Sequence, residues 1–166
     1  MGILSKIFGT GGYENDPIPQ LVSVLPAAAV LKIQAGQLPV LQSDKLILKR
    51  GEICHFIDVS ASITDRRHYQ SLRRGSSVHM ARGWTIHTGS TTSVPVTTSE
   101  VTQGIFYITN RRIVFVAKKH GFSQNLTALT AVTPYGNGLS LQFGSKTYQV
   151  VLPNGGIAKT VIDLLT

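Results

Sequence analysis

The sequence predicts a mainly β fold, an antiparallel barrel or sandwich covered by a C-terminal helix and preceded by a short helical appendage. From residue 44 onward, short segments that alternate apolar and polar residues are separated by turn residues, which is typical of antiparallel sheets. An amphipathic helical pattern follows the last of these segments. Residues 1–43 lack the strand pattern and contain Pro17, Pro19 and Pro39. We therefore divide the chain into an appendage, residues 1–43, and a β domain, residues 44–166.

The first eight residues form a candidate anchor. They place four large apolar residues at helical spacing: Ile3, Leu4, Ile7 and Phe8. A helix of one or two turns is marginal alone, so this segment must dock on its own domain, another copy or a membrane surface. A second helix is predicted over residues 27–33, because Pro26 suits a first helical position and Gly36 suits a C-terminal cap. We expect this helix to pack on the main domain.

The β domain is predicted to consist of hairpins. The expected pairs are residues 46–48 with 53–59, 77–81 with 84–87, 104–109 with 112–117, 126–133 with 139–143, and 139–143 with 146–150. The clearest turn is Asn110-Arg111, since asparagine tolerates a left-handed backbone. The Ser/Thr-rich stretch 85–103 is predicted to be either a long loop or a solvent-facing edge strand, because Pro95 has no backbone donor.

The last segment predicts a helix that covers the open end of the β structure. Asn154 is suited to cap its N-terminus. Ile157, Val161, Leu164 and Leu165 share one face at helical spacing, with Ala158 and Ile162 beside it.

Composition excludes several classes of protein. Charged residues make up 14% of the chain, too few for a highly charged disordered protein. The longest apolar stretch, residues 24–31, is far shorter than the roughly 20 residues of a membrane-spanning helix and contains a proline. The N-terminus lacks the pattern of a signal peptide. The single cysteine, Cys54, has no internal partner and suits a reducing compartment, so we expect a cytoplasmic protein.

The net charge of +8 is concentrated in one part of the chain. Residues 66–161 contain eleven basic side chains and one acid, Glu100. Such an asymmetry attracts anions, whether lipid headgroups, nucleic acid or an acidic partner, although charged doublets also occur simply because turns are solvated. The candidate anion-binding residues are Arg66, Arg67, Arg73, Arg74, Arg82, Lys118 and Lys119. Guanidinium groups are well suited to phosphate.

Two short motifs resemble a known family. The segment Gly104 to Val116, GIFYITNRRIVFV, resembles the "G-x-apolar-x-apolar-T-x-x-R-apolar-x-F" hairpin of pleckstrin-homology-like (PH-like) domains of the GRAM type. The segment Leu48 to Glu52, LKRGE, resembles their "L-x-x-G-E" opening. The resemblance covers about residues 44–166. It implies a PH-like β barrel with a C-terminal helix, and a scaffold that binds phosphoinositides or proteins and is not a catalyst.

We find no sequence signature of an enzyme, a metal site or a cofactor site. Cys54 and His55 are adjacent on a predicted strand, which makes a catalytic dyad unlikely by geometry, and Cys54 is expected to be buried. Three functions follow. The first is peripheral association with an anionic membrane at its inner face. The second is an assembly module that self-associates or docks on a larger protein complex. The third, nucleic-acid binding, ranks last because the aromatic residues lie in apolar-alternating strands.

Overall fold

The computed structural model describes residues 17–80 and 84–166; within these ranges it does not describe the side chains of residues 73, 74, 76–80 and 84–88. The helices and strands are α1 (Ala27–Gln34), β1 (Cys54–Met80), β2 (Trp84–Thr109), β3 (Arg112–Ala117), β4 (Phe122–Asn125), β5 (Leu129–Tyr135), β6 (Gly138–Phe143), β7 (Lys146–Val151) and α2 (Gly155–Leu165). The strands form one antiparallel sheet in the order β4-β3-β2-β1-β7-β6-β5. The expected mainly β fold with a C-terminal helix is confirmed.

The sheet curves around one hydrophobic core. Buried side chains from both halves of the sheet and from both helices belong to a single cluster, among them Phe56, Phe106, Leu141, Ile33 and Ile162. At the far side of the core, the rings of Phe122 in β4 and Tyr148 in β7 stack with centroids 4.0 Å apart. The two halves of the sheet therefore meet through side chains at this point.

The hairpin of β2 and β3 turns at Asn110 and Arg111, as predicted, but neither residue has the left-handed backbone on which the prediction was based. The Asn110 side chain also joins this turn to the start of β1. Its Oδ1 accepts a hydrogen bond from the Ile53 backbone N–H (2.9 Å), and its Nδ2 donates one to the Gly51 carbonyl (3.1 Å). At Gly104 a side chain would collide with the Val116 carbonyl oxygen, so the motif glycine permits the close approach of β2 and β3.

The N-terminal helix α1 begins at residue 27, as predicted, and ends one residue later than predicted, at Gln34. Pro26 lies before the helix in extended backbone (ψ 139°), and Gly36 after it adopts a left-handed backbone (φ 78°). Ala29 and Ile33 are buried in the main core, and α1 contacts α2. No helix among residues 17–80 and 84–166 is long and apolar enough to cross a membrane.

The C-terminal helix α2 confirms the predicted element but corrects its details. Its buried face consists of Ala158, Val161 and Ile162, whereas Leu164 is 40% exposed. The Asn154 side chain makes no capping hydrogen bond. Instead, its Nδ2 donates to Ser23 Oγ (2.7 Å) and to Asp58 Oδ2 (3.2 Å), because the chain before α1 passes over the start of α2.

One predicted strand is absent, and another begins three residues later than predicted. Residues 46–48 form no strand, since the Leu46 N–H is bound by the nearby Ser43 Oγ (2.8 Å). Leu46 and Leu48 pack instead on a small cluster around Tyr107. Residues 126–133 do not form one strand, because a 3₁₀ turn at Leu126–Ala128 separates β4 from β5. The buried Leu126 fixes this break, and its N–H donates to the Arg111 carbonyl (2.9 Å).

The largest difference from the sequence prediction is the length of β1 and β2. We expected separate short strands, yet the two strands pair without interruption from Phe56–Ile108 to Met80–Trp84. The predicted pairing of residues 77–81 with 84–87 lies at the end of this hairpin. The edge-strand alternative for residues 85–103 is confirmed, and the loop alternative is wrong.

Candidate functional site

Beyond the sheet, β1 and β2 continue as a two-stranded ribbon. β3 pairs with β2 only over Gly104–Ile108, and β7 pairs with β1 only over Ala61–Ile63. We call residues 64–80 and 84–100 the arm; no other described strand pairs with it. At about 3.3 Å per residue, each strand of the arm is roughly 50 Å long. The arm thus presents two strand edges and two faces outside the core.

Because side chains alternate between the two faces along a strand, the neighbouring residues Arg66 and Arg67 lie on opposite faces of the arm. Residues directly opposite each other in the hairpin share a face. One face carries Asp65, Arg67 and Tyr69 with their partners Ser99, Thr97 and Pro95. The other face carries Arg66, His68 and Leu72 with Thr98, Val96 and Thr92. Arg66 and Arg67 are both exposed and lie on opposite faces of the arm.

The remaining candidate anion-binding residues are spread along and beside the arm. Arg73 and Arg74 lie in β1 opposite Thr91 and Ser90, about 23 Å along the strand from Arg66 at the strand rise of 3.3 Å. Lys118 and Lys119 are exposed in the turn between β3 and β4. Arg82 and the four anchor candidates Ile3, Leu4, Ile7 and Phe8 lie outside the described residues.

Glu100 joins several basic groups at the base of the arm. Its carboxylate lies 3.3 Å from Arg66 Nε and 3.9 Å from Lys119 Nζ, and it accepts a hydrogen bond from His120 Nε2 at 3.1 Å. The hydrogen bond from His120 lowers the pKa of Glu100; partial burial opposes this, and the nearby positive charges add to it. Sequence reasoning missed this cluster, because only the fold brings residues 66, 100 and 119–120 together.

A cleft of about 510 Å³ opens beside the base of the arm. It lies between residues 62–65 of β1 and residues 147–149 of β7, with residues 120–122 on a third side. Its lining includes the hydroxyl-bearing residues Ser62, Thr64 and Thr147. The sequence gives no signal for this cleft, since it arises where two paired strands separate.

The two motifs that carry the family resemblance meet in a buried ion pair. Arg112 binds both carboxylate oxygens of Glu52, at 2.7 Å from Nε and 3.2 Å from Nη2. Thr109 Oγ1 and the Lys49 N–H also donate to this carboxylate, at 2.7 and 2.8 Å. Burial works to raise the pKa of Glu52, but the hydrogen bonds from Arg112, Lys49 and Thr109 outweigh it and lower the pKa to about 2. These motif residues therefore stabilise the junction of β1, β2 and β3.

The only cysteine is buried, as predicted. Burial raises the pKa of the Cys54 thiol to about 11, and its Sγ lies 3.4 Å from the Phe56 carbonyl oxygen. The neighbouring His55 ring donates from Nδ1 to the Pro39 carbonyl (2.7 Å). His79 and His87 are paired with Thr85 and Ser77, respectively. Within the described ranges, no three His, Cys, Asp or Glu side chains form a group that could hold a metal ion.

The chain was compared with protein-family models, curated proteins and solved structures, and none of the three comparisons finds a match.

Proposed function

We propose that this chain is a non-catalytic PH-like binding module that docks on a larger protein assembly through its arm. The PH-like part of the proposal is supported by two features. Seven antiparallel strands curve around one core and are followed by a C-terminal helix. The residues of the two resembling motifs, Glu52, Thr109 and Arg112, converge in one network.

The observation that carries the docking role is the arm itself. A two-stranded ribbon is at best marginally stable in water when nothing covers it. Large side chains are nevertheless exposed on both of its faces: Tyr69 is 76% exposed and Leu72 is 51% exposed. Covering these side chains and pairing the strand edges would stabilise both the ribbon and a complex. A protein partner can contact both faces, which fits the placement of Arg66 and Arg67.

A photo-crosslinking experiment in living cells of the source organism tests this proposal. A photoreactive phenylalanine analogue replaces Tyr69 on the arm or, as a matched control, the exposed Leu31 on α1. We expect one discrete crosslinked protein with the probe at Tyr69 and none with the probe at Leu31. The mass of the product distinguishes a second copy of the chain from another protein.

A shortened arm provides the second control. Residues 69–95 are replaced by Asn-Gly, because His68 and Val96 are directly opposite and a two-residue turn can join them. None of the removed residues whose side chains are described belongs to the core, so the thermal midpoint should change little. Equal crosslinking at positions 69 and 31 would contradict docking through the arm. If the chain with the shortened arm still formed a complex of the same size with the partner, that result would also contradict it.

Association with an anionic membrane is a second candidate, favoured by the exposed basic groups Arg66, Arg67, Lys118 and Lys119 near the base of the arm. Each basic residue close to an anionic surface contributes about 1 kcal/mol. We expect the full chain to co-sediment with phosphatidylserine vesicles in low salt, and binding to persist partly at physiological salt if Ile3, Leu4, Ile7 and Phe8 insert. Deletion of residues 1–8 should then release it. Absence of binding at low salt would exclude this candidate.

A further inference from the structure

We propose that an extended acidic segment of a partner protein adds as a strand to the edge of β1 that no described strand covers, and seats one end in the cleft between β1 and β7. This inference rests on the proposed docking function and specifies its binding mode and the chemistry of the partner. Four observations lead to it, from the split of the sheet to the charge along the edge.

The first observation is that β1 loses one of its two neighbours part of the way along. On one side it pairs with β2 to its end at Met80. On the other side it pairs with β7 at Ala61, Ser62 and Ile63, and the register stops at Ile63–Gln149. Continued pairing would place Thr64 opposite Tyr148, yet Tyr148 pairs only with Leu141 of β6. The two strands thus separate at Thr64.

The second observation is that side-chain contacts hold the separated strand in place. The Tyr148 ring stacks on Phe122 with an interplanar angle of 19° and contacts Phe143 edge-on. Its hydroxyl accepts a hydrogen bond from Gln124 Nε2 at 3.0 Å. These contacts bind the start of β7 to β4 and β6, while β1 follows β2 into the arm. The cleft is therefore part of the folded core and needs no partner to open it.

The third observation is the strand edge that leads away from the cleft. In an antiparallel sheet, alternate residues of a strand direct both backbone polar groups toward the same neighbour. From Thr64 to Leu72, no described strand lies on the side of β1 away from β2. An extended segment on this side would satisfy those groups, which is the binding mode of strand addition. The cleft would hold the end of that segment against β7.

The fourth observation is the charge of the β1 half of the arm. Residues 64–80 contain Arg66, Arg67, Arg73 and Arg74 and a single acid, Asp65. The Asp65 carboxylate accepts a hydrogen bond from Ser99 Oγ at 2.6 Å. A second copy added antiparallel about Gln70 would set these arginines against each other, and like charges on opposing strands are destabilising. An acidic partner is favoured instead, since alternate glutamates would face Arg66 on one side of the ribbon or Arg67 on the other.

The test is the binding of designed peptides to the full chain, measured by fluorescence anisotropy. The probe is a labelled ten-residue peptide that alternates glutamate and valine. Two controls accompany it: a lysine–valine peptide with the opposite charge, and a glutamate–valine peptide that is N-methylated at every residue, with the same charge but no backbone N–H to donate. We expect the glutamate–valine peptide to bind at least about tenfold more tightly than either control.

Three variants of the chain locate the binding site. Reversal of both charges in Arg66→Glu/Arg67→Glu should weaken binding about tenfold or more. The variant Lys45→Glu/Arg50→Glu changes the net charge equally at exposed positions before the opposite end of β1 and should bind as the original chain does. Thr147→Trp places a large side chain in the cleft and should weaken binding while the circular dichroism spectrum is unchanged.

The possible results separate this inference from the proposed function. Equal binding of the N-methylated and the unmodified glutamate–valine peptides would overturn strand addition and leave only charge attraction. Absence of binding by all three peptides, or binding that Thr147→Trp and Arg66→Glu/Arg67→Glu leave unchanged, would also overturn it. In each case docking through the arm still stands if crosslinking at position 69 persists. Loss of that crosslink would overturn both.

Discussion

Replacement of Arg112 by alanine is expected to lower the free energy of unfolding by about 3–5 kcal/mol, because it leaves the buried Glu52 carboxylate without its charged partner. The Glu52 side chain is completely buried and that of Arg112 is 15% exposed, so water cannot replace the guanidinium group. Arg112 Nη2 also donates to the Ile47 carbonyl at 2.8 Å, and this contact anchors the segment before β1. Urea unfolding followed by far-ultraviolet circular dichroism measures the change.

The surface ion pair of Lys159 and Asp163 is the matched control for this substitution. Its atoms are as close, at 2.6 Å, but the two side chains are 33% and 58% exposed. Lys159→Ala should therefore cost less than about 1 kcal/mol. If Arg112→Ala and Lys159→Ala lower the free energy of unfolding equally, the buried ion pair does not stabilise the junction of β1, β2 and β3.

The pH dependence of the free energy of unfolding is an independent test of the Glu52–Arg112 ion pair. The pKa of Glu52 is about 2 in the folded chain, against an ordinary value of 4.5. Because the folded pKa is the lower one, this stabilisation is present above about pH 4.5 and is lost as the pH falls toward 2. It amounts to about 3 kcal/mol. The stability difference between the original chain and Glu52→Gln should shrink over this interval.

Replacement of Asp58 by alanine is the second substitution with a large expected effect, about 2–4 kcal/mol, since it removes the acceptor of several hydrogen bonds. Asp58 is fully buried in β1. Its carboxylate accepts hydrogen bonds from Ser23 Oγ and the Val24 N–H, both at 2.8 Å, and from Asn154 Nδ2 at 3.2 Å. One side chain thus joins the segment before α1, the sheet and the start of α2.

A graded comparison tests whether Asp58 acts through these contacts. Ser23→Ala removes one donor and should cost about 0.5–1.5 kcal/mol in urea unfolding. Asp44→Ala, at an exposed position, should cost little. The double variant Ser23→Ala/Asp58→Ala should be less destabilised than the sum of the two single variants, because both remove the same hydrogen bond. Strict additivity would show that the contact between these side chains contributes nothing.

The core and the arm are stabilised by different interactions. The core is stabilised by buried aromatic and aliphatic side chains and by the Glu52–Arg112 pair. The arm, by contrast, is rich in serine, threonine and arginine residues, and its two strands pair with each other. Changes in the core should therefore alter the stability of the whole chain, whereas changes in the arm should alter mainly what the chain binds.

Local signals in the sequence were sufficient where the structure depends on neighbouring residues. Asn110 predicted the β2–β3 turn, Gly36 the end of α1, and the apolar spacing from Ile157 onward the existence of α2. The burial of Cys54 followed from its apolar surroundings in the sequence. In each case the backbone geometry or the apolar period is a property of a few consecutive residues.

Only the tertiary structure determined the features that join distant residues. Residues 64–76 and 88–100 of the arm show no sustained alternation of apolar and polar residues, and so they gave no periodic strand signal. The pairing of Glu52 with Arg112, the acceptor role of Asp58 toward Asn154, and the convergence of basic groups on Glu100 each connect residues far apart in the chain. The cleft exists because β1 continues alongside β2, while Tyr148 holds β7 against β4. Which strand β7 lies against depends on the packing of these side chains in three dimensions, and the sequence carries no local signal for it.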